Sequence, residues 1–161
     1  MMLKDEVERL RLVPLFCNVA SAKLKLLAFT SKRLSFKAGH TLFNQGDPGD
    51  AAYVVLSGSA DILVDADGGE IKVANVGPNS IIGEIAILCD VNRTATVRAN
   101  APLEVLRIDK DQFLELLAEF PEMAIQIIRV VADRLSQTTA ELSEARSLIM
   151  RLSNKPNSPP N

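Results

Sequence analysis

The feature that most constrains this chain is a succession of short β-type runs between Lys32 and Ile108, each stopped by a turn signal. Leu34–Phe36 leads into Lys37-Ala38-Gly39, and Thr41–Phe43 precedes Gly46-Asp47-Pro48-Gly49-Asp50, which is dense in turn formers. Ala51–Leu56 is apolar throughout, as expected of a strand buried on both faces, and Ser57-Gly58 ends it. Ala60–Val64 alternates, Asp67-Gly68-Gly69 forms a hairpin loop into Ile71–Val76, and Gly77-Pro78-Asn79 turns the chain again before Ile81. Thr94–Ala99 and Leu103–Ile108 complete the set. Short strands at this spacing predict an antiparallel β barrel or jelly roll that closes its own edges.

Helical signals flank the β region, which makes the fold class α+β. Leu3, Val7, Leu10 and Val13 fall near helical spacing, Pro14 ends that element, and Ser21 is a candidate N-cap for a helix through Leu24, Leu27 and Ala28. Asp109, with Gln112 three residues on, makes a capping-box-like start for Lys110–Glu119, and Pro121 opens a further helix at its first position. In that last helix Ala124, Ile128, Val131, Leu135, Thr138, Leu142, Ala145, Ile149 and Leu152 advance by alternating fours and threes, a sustained heptad. Glu141 and Arg146 sit where an interchain pair would form. The stripe fits a parallel dimer helix or a helix packed on its own barrel, and its length favours the dimer, through residues 124–152. Residues 153–161 are Ser, Asn and Pro apart from Lys155, a composition expected to be disordered. The expected organisation is one domain over 1–152, with N-terminal helices at 3–29, the barrel at 32–108 and C-terminal helices at 109–152.

Composition excludes several function classes. A net charge of −2 gives no general attraction to nucleic acid or to an anionic membrane. No apolar run approaches the roughly 20 residues of a membrane helix, and the N-terminus is acidic where a signal peptide is basic, so a cytoplasmic location is expected. Two cysteines, Cys17 and Cys89, are too few and too far apart for a zinc or iron–sulfur set and are expected to be small buried hydrophobes. The single histidine, His40, follows a turn glycine, and neither a Ser–His–Asp set nor a phosphate-binding Gly-Lys-Ser/Thr loop is present. No enzyme chemistry, metal or cofactor is expected.

The chemistry-bearing stretch is Ile82–Ala99, where one carboxylate, Glu84, and one guanidinium, Arg93, lie in an otherwise apolar segment. Charges among core-type residues are costly unless paired or facing a ligand. Gly83 permits a turn and a close backbone approach, and Glu84–Leu88 suits a single helical turn. The free N–H groups of that turn, with Arg93, would cradle a phosphate. A buried Glu84–Arg93 pair closing a loop fits the same residues equally well.

Two motifs carry a family resemblance. The first runs Leu42-Phe43-Asn44-Gln45-Gly46-Asp47-Pro48-Gly49-Asp50 and on through Tyr53-Val54-Val55-Leu56 to Gly58. The second is Gly83-Glu84-Ile85-Ala86-Ile87, five residues, then Arg93-Thr94-Ala95. Together they resemble the cyclic nucleotide-binding domain of catabolite activators, protein kinase A regulatory subunits and nucleotide-gated channels, the second being its phosphate-binding cassette. The likeness extends to Leu152 and departs mildly at Ala52, where the family has a larger apolar residue. It implies a jelly roll with a short cassette helix and a long C-terminal helix, and a receptor for cAMP, with cGMP as the alternative. It implies that Glu84 binds the ribose 2′-hydroxyl and Arg93 the cyclic phosphate, with backbone N–H groups at Gly83, Glu84, Ile85 and Ala86. Thr94 and Ala95 follow the arginine, and a threonine there is compatible with both nucleotides. Arg134-Leu135-Ser136-Gln137-Thr138-Thr139 is similar to the activator helix that reaches the base, which implies Thr138 and Thr139 as base contacts, with Arg134 stacking on the purine as an alternative. Family activators place a DNA-reading element after this helix, where this chain has only its polar tail, so a stand-alone regulatory module for signal transduction is expected, its effector unspecified. A protein that dimerises through the last helix independently of nucleotide is the competing expectation.

Overall fold

A computed structural model of the chain describes residues 2–154, with side chains from residue 5 onward. The β-type runs form β1 (Lys32–Phe36), β2 (Thr41–Phe43), β3 (Ala51–Ser57), β4 (Ala60–Ala66), β5 (Gly69–Val76), β6 (Ile81–Ile82), β7 (Thr96–Ala99) and β8 (Leu103–Asp109). The helices are α1 (Met2–Leu12), α2 (Ser21–Thr30), α3 (Glu84–Leu88), α4 (Lys110–Glu119) and α5 (Pro121–Ser153), with a 3₁₀ turn at Pro14–Phe16. The chain divides into two compact units, the first ending at Met123 and the second beginning at Ala124.

In the first unit the strands form two four-stranded antiparallel sheets, ordered β1-β8-β3-β6 and β2-β7-β4-β5. Apart from the β4–β5 hairpin, each strand lies in the opposite sheet from the one before it, the strand exchange of a double-sheet jelly roll. The expected α+β jelly roll is what the chain adopts. Side-chain alternation assigns the layers. Ala51, Tyr53 and Val55 of β3, with Leu103 and Val105 of β8, meet Ala60, Val97 and Ala99 of the other sheet in one buried cluster. The opposite face of the same strands, Ala52 and Val54 paired with Ile108 and Leu106, is also buried. There β3 and β8 meet α4, and β8 meets α2. A sheet covered on both faces explains why Ala51–Leu56 is apolar without alternation.

Some local expectations give way to competing contacts. Ala20, not Ser21, is the N-cap of α2, and the Ser21 hydroxyl instead accepts from Arg11. Asp109 holds the N-cap position of α4 but caps nothing with its side chain, which is drawn to Arg107, so the capping box with Gln112 does not form. Cys17 and Cys89 are exposed free thiols, not core residues. Thr94 and Ala95 form a bend, and β7 begins at Thr96. Helix α5 continues through Ser153, and residues 155–161 of the expected tail lie outside the described residues.

In the second unit, α5 presents Ile128, Leu135, Leu142, Ile149 and Leu152 as exposed side chains along the heptad stripe. Among the described residues no helix is long and apolar enough to cross a membrane.

The turn from β3 to β4 depends on one glycine. Gly58 has φ +86, and a Cβ there would run into the carbonyl of Pro102. The left-handed backbone alone costs an L-residue about 1–2 kcal/mol, and the collision adds to it. Gly58→Ala should therefore lower the unfolding free energy by at least about 2 kcal/mol in a urea melt, and a loss below about 0.5 kcal/mol would contradict the tight β3–β4 turn.

Candidate functional site

Three stretches far apart in sequence converge on Arg93: the β2–β3 loop, the turn entering α3, and the segment leading to β7. The backbone joins them first. The Arg93 N–H donates to the Asp47 carbonyl at 2.7 Å, and the Arg93 carbonyl accepts from Gly46 N–H at 2.8 Å. The loop is fixed from its other side by Thr96, a buried threonine whose hydroxyl accepts from Gln45 N–H at 2.9 Å.

Gly83 enters α3 in the left-handed region at φ +86, and a Cβ at this position would run into the Arg93 guanidinium. Both the turn and the close approach require glycine here. Helix α3 ends in a Schellman motif. Asp90 takes φ +51, its N–H reaching the Ile87 carbonyl at 3.4 Å while Val91 N–H reaches Ala86 at 3.1 Å. Gly49 lies against Ala86 so closely that a Cβ there would overlap it. The sequence-level segments thus meet as one body, with Glu84, Ala86 and Ile87 buried and Ile85 half-buried.

The Arg93 side chain, 3% exposed, is a buried cation. Its Nη1 donates to the Gly83 carbonyl at 2.8 Å and its Nη2 to the Ala51 carbonyl at 2.6 Å. The Asp50 carboxylate lies 3.6 Å from it. The guanidinium carbon lies 4.1 Å from the centroid of the Phe43 ring and 6.0 Å from that of Tyr53, two rings whose own centroids are 5.8 Å apart. Burial pushes the Arg93 pKa down, opposed by Tyr53 and Asp50, and a guanidinium remains charged regardless. Its Nε is buried with no hydrogen-bond partner. A cation enclosed in this way leaves one donor unused, a hydrogen bond still to be made.

Asp50 ties the site to the start of α4. Its carboxylate also reaches Arg107 at 3.1 Å, and its carbonyl accepts from Lys110 N–H at 3.0 Å. Burial lowers the Arg107 pKa, but the hydroxyl of Tyr53 and the charge of Asp50 outweigh it, so the net shift is upward.

Of the residues expected from sequence, Gly83, Glu84, Ile85, Ala86 and Arg93 are assembled within the first unit, and Ala95 and the exposed Thr94 follow Arg93 in the bend before β7. Arg134, Thr138 and Thr139 are exposed residues of α5 in the second unit. Sequence reasoning gave no role to Phe43, Tyr53, Asp50 and Arg107, which enclose the guanidinium and its counter-ion. The first three belong to the Leu42–Gly58 motif, and the signal available was an acid and two aromatics bracketing a Gly-rich loop. His40 is exposed, and no cluster of metal-ligating side chains occurs among the described residues.

Comparisons with known proteins place the domain in a family. Residues 33–120 match the family model of the cyclic nucleotide-binding domain. The chain is 30% identical over 131 residues to the CRP-like cAMP-activated global transcriptional regulator of Mycobacterium tuberculosis, covering 81% of this chain and 58% of that protein. The chain thus spans little more than half the length of that regulator. A cyclic nucleotide-binding-like protein from Brucella abortus superposes with TM-score 0.61 at 33% identity, over 71% of this chain and 98% of that one. The catabolite activator protein of Thermus thermophilus does so with TM-score 0.73 at 30% identity, over 83% of this chain and 63% of that one. With residues 33–120 under that family model, this chain belongs to the cyclic nucleotide-binding domain family.

Proposed function

We propose that this chain is a cytoplasmic, non-catalytic receptor module that binds cAMP between the Gly83–Ala95 cassette and α5, and whose ligand favours docking of that helix. The observation that carries the reading is the buried Arg93 guanidinium. Backbone carbonyls hold both terminal nitrogens while Nε lacks a partner. The two carbonyls fix the plane of the fork in advance, which lowers the ordering cost of meeting a phosphate. In this reading Arg93 and the N–H groups from Gly83 to Ala86 take the cyclic phosphate, and Glu84 accepts from the ribose 2′-hydroxyl. Thr138 and Thr139 reach the base, with Arg134 stacking on it as the alternative. The cAMP-activated M. tuberculosis regulator, 30% identical, supports cAMP as the ligand. Thr94, exposed beside the arginine, leaves room for cGMP as the weaker ligand.

The same reading makes the protein a homodimer through residues 124–152. Leu135 is 65% exposed and Leu142 52% exposed on the heptad stripe, an apolar seam of the kind a second helix covers. No nucleic acid and no membrane contact are part of it. Ligand binding shifts an output only through its differential affinity for two states, commonly ~1–3 kcal/mol. The partner that reads the docked helix supplies the effector side.

Calorimetry tests the ligand. The wild-type chain should bind cAMP more tightly than cGMP, and Arg93→Lys, which keeps the charge but not the two-pronged donor, should weaken cAMP by at least about a hundredfold. Absence of heat with both nucleotides would overturn the reading and favour a nucleotide-independent dimer. Light scattering tests the assembly. The wild type should show twice the chain mass at micromolar concentration, and Leu135→Asp with Leu142→Asp should halve it. A wild-type monomer with and without cAMP would exclude the dimer seam.

A further inference from the structure

A second concave surface of the first unit lies apart from the Arg93 cradle. Helices α2 and α4 run antiparallel, joined at one end by an ion pair between Lys23 and Glu119 at 2.7 Å. Between them lies a cavity of about 210 Å³. From α2 it is lined by Lys23, Leu26, Leu27 and Thr30, spaced i, i+3, i+4 and i+7, and from α4 by Gln112, Glu115 and Leu116, spaced i, i+3 and i+4. Those are the positions one helix offers to a neighbour, so the groove has the form of a slot for a further helix. Its floor is core, with Leu27 and Leu116 at 4% and 2% exposure. Its lip is apolar and open to solvent, with Leu26 at 52% and Phe29, one turn along α2, at 78%. Phe29 is not a residue that solubility selects for the surface, and it extends the apolar strip beyond the cavity.

The polar groups of the groove state what is missing. The Gln112 Oε1 is buried without a donor, and the Glu115 carboxylate meets no cation among the described residues. Both are acceptors, and a carboxylate at the rim of an apolar groove is matched by a guanidinium or ammonium. The volume is below the roughly 300–1,000 Å³ of pockets that enclose a small-molecule ligand, and it suits a few inserted side chains. We propose that the α2–α4 groove docks a basic amphipathic helix of a partner protein, which inserts apolar residues at i, i+3 or i+4 spacing over Leu27 and Leu116 and pairs an Arg or Lys with Glu115.

The probe is a synthetic helical peptide of about 15 residues carrying Leu on one face and Arg on its flanks, titrated into the full isotope-labelled chain without nucleotide and followed by NMR. Amide shifts should concentrate in Lys23–Thr30 and Gln112–Glu119 and saturate. Leu26→Asp and Glu115→Arg should each weaken binding by at least about tenfold, and the same peptide with Glu in place of Arg should not bind. Leu26 and Glu115 are both solvent-facing, so the variants keep the fold, checked by an unchanged melting temperature. Shifts located elsewhere, equal binding of the acidic peptide, or variants that bind like the wild type would overturn the proposal. So would self-association of the free chain through this face, which would make a second copy the occupant.

Discussion

One charge organises this domain. The Arg93 guanidinium is 3% exposed, and burying a cation without compensation costs several kcal/mol even after the protein relaxes. The compensation is mostly backbone. Two carbonyls, of Gly83 and Ala51, take the terminal nitrogens, the Phe43 ring covers one face, and Asp50 supplies a counter-charge at 3.6 Å. Carbonyl dipoles stabilise the guanidinium without neutralising it.

Holding those carbonyls in place is the work of the jelly roll. Ala51 opens β3, Gly83 follows β6, and Arg93 precedes β7; β3 and β6 pair with each other, while β7 belongs to the opposite sheet. The site therefore sits where the two sheets exchange strands, and no single hairpin could assemble it. The two backbone bonds between Arg93 and the Gly46–Asp47 loop carry the chain across the gap. Glycines at 49 and 83 allow the approach, since a methyl group at either position would collide with Ala86 or with the guanidinium itself.

Much of this was legible in the sequence because it is written in local patterns. Turn residues between short apolar runs specify strands, and the unbroken apolar stretch Ala51–Leu56 specifies a strand covered on both faces. Gly83 ahead of Glu84–Leu88 specifies the tight entry and single turn of α3. What local pattern cannot give is the choice among partners. Asp109 and Gln112 have the spacing of a capping box, but Arg107 lies two residues back on the same strand face and takes the Asp109 carboxylate. Ser21 has the identity of an N-cap, but Arg11 arrives from another helix. The partners of Arg93 were hidden for a related reason. Asp50, which meets Arg93 at 3.6 Å, belongs to a loop more than forty residues away from it. A backbone carbonyl such as that of Ala51 carries no residue-type signature at all.

The same contacts that stabilise Arg93 decide where its state can be felt. Asp50 faces Arg93 and Arg107 with its carboxylate and holds the first N–H of α4 with its carbonyl, while Lys110, the residue so held, also reaches Asp90 at the end of α3 at 3.3 Å. An anion at Arg93 would compete with Asp50, the residue whose carbonyl anchors α4. The exposed ion pairs are individually worth little, so their part is to fix geometry more than to store energy, and the stiffer element is the backbone bond from Lys110 to Asp50. Helix α4 is packed on β3 and β8 by Phe113 and Leu116, and Leu116 is also the floor of the groove beside α2. A displacement of α4 at its first residue would therefore be felt at a surface that carries the Gln112 acceptor and exposed apolar side chains. The Arg93 cradle and the groove are separate in their chemistry, yet both bear on α4.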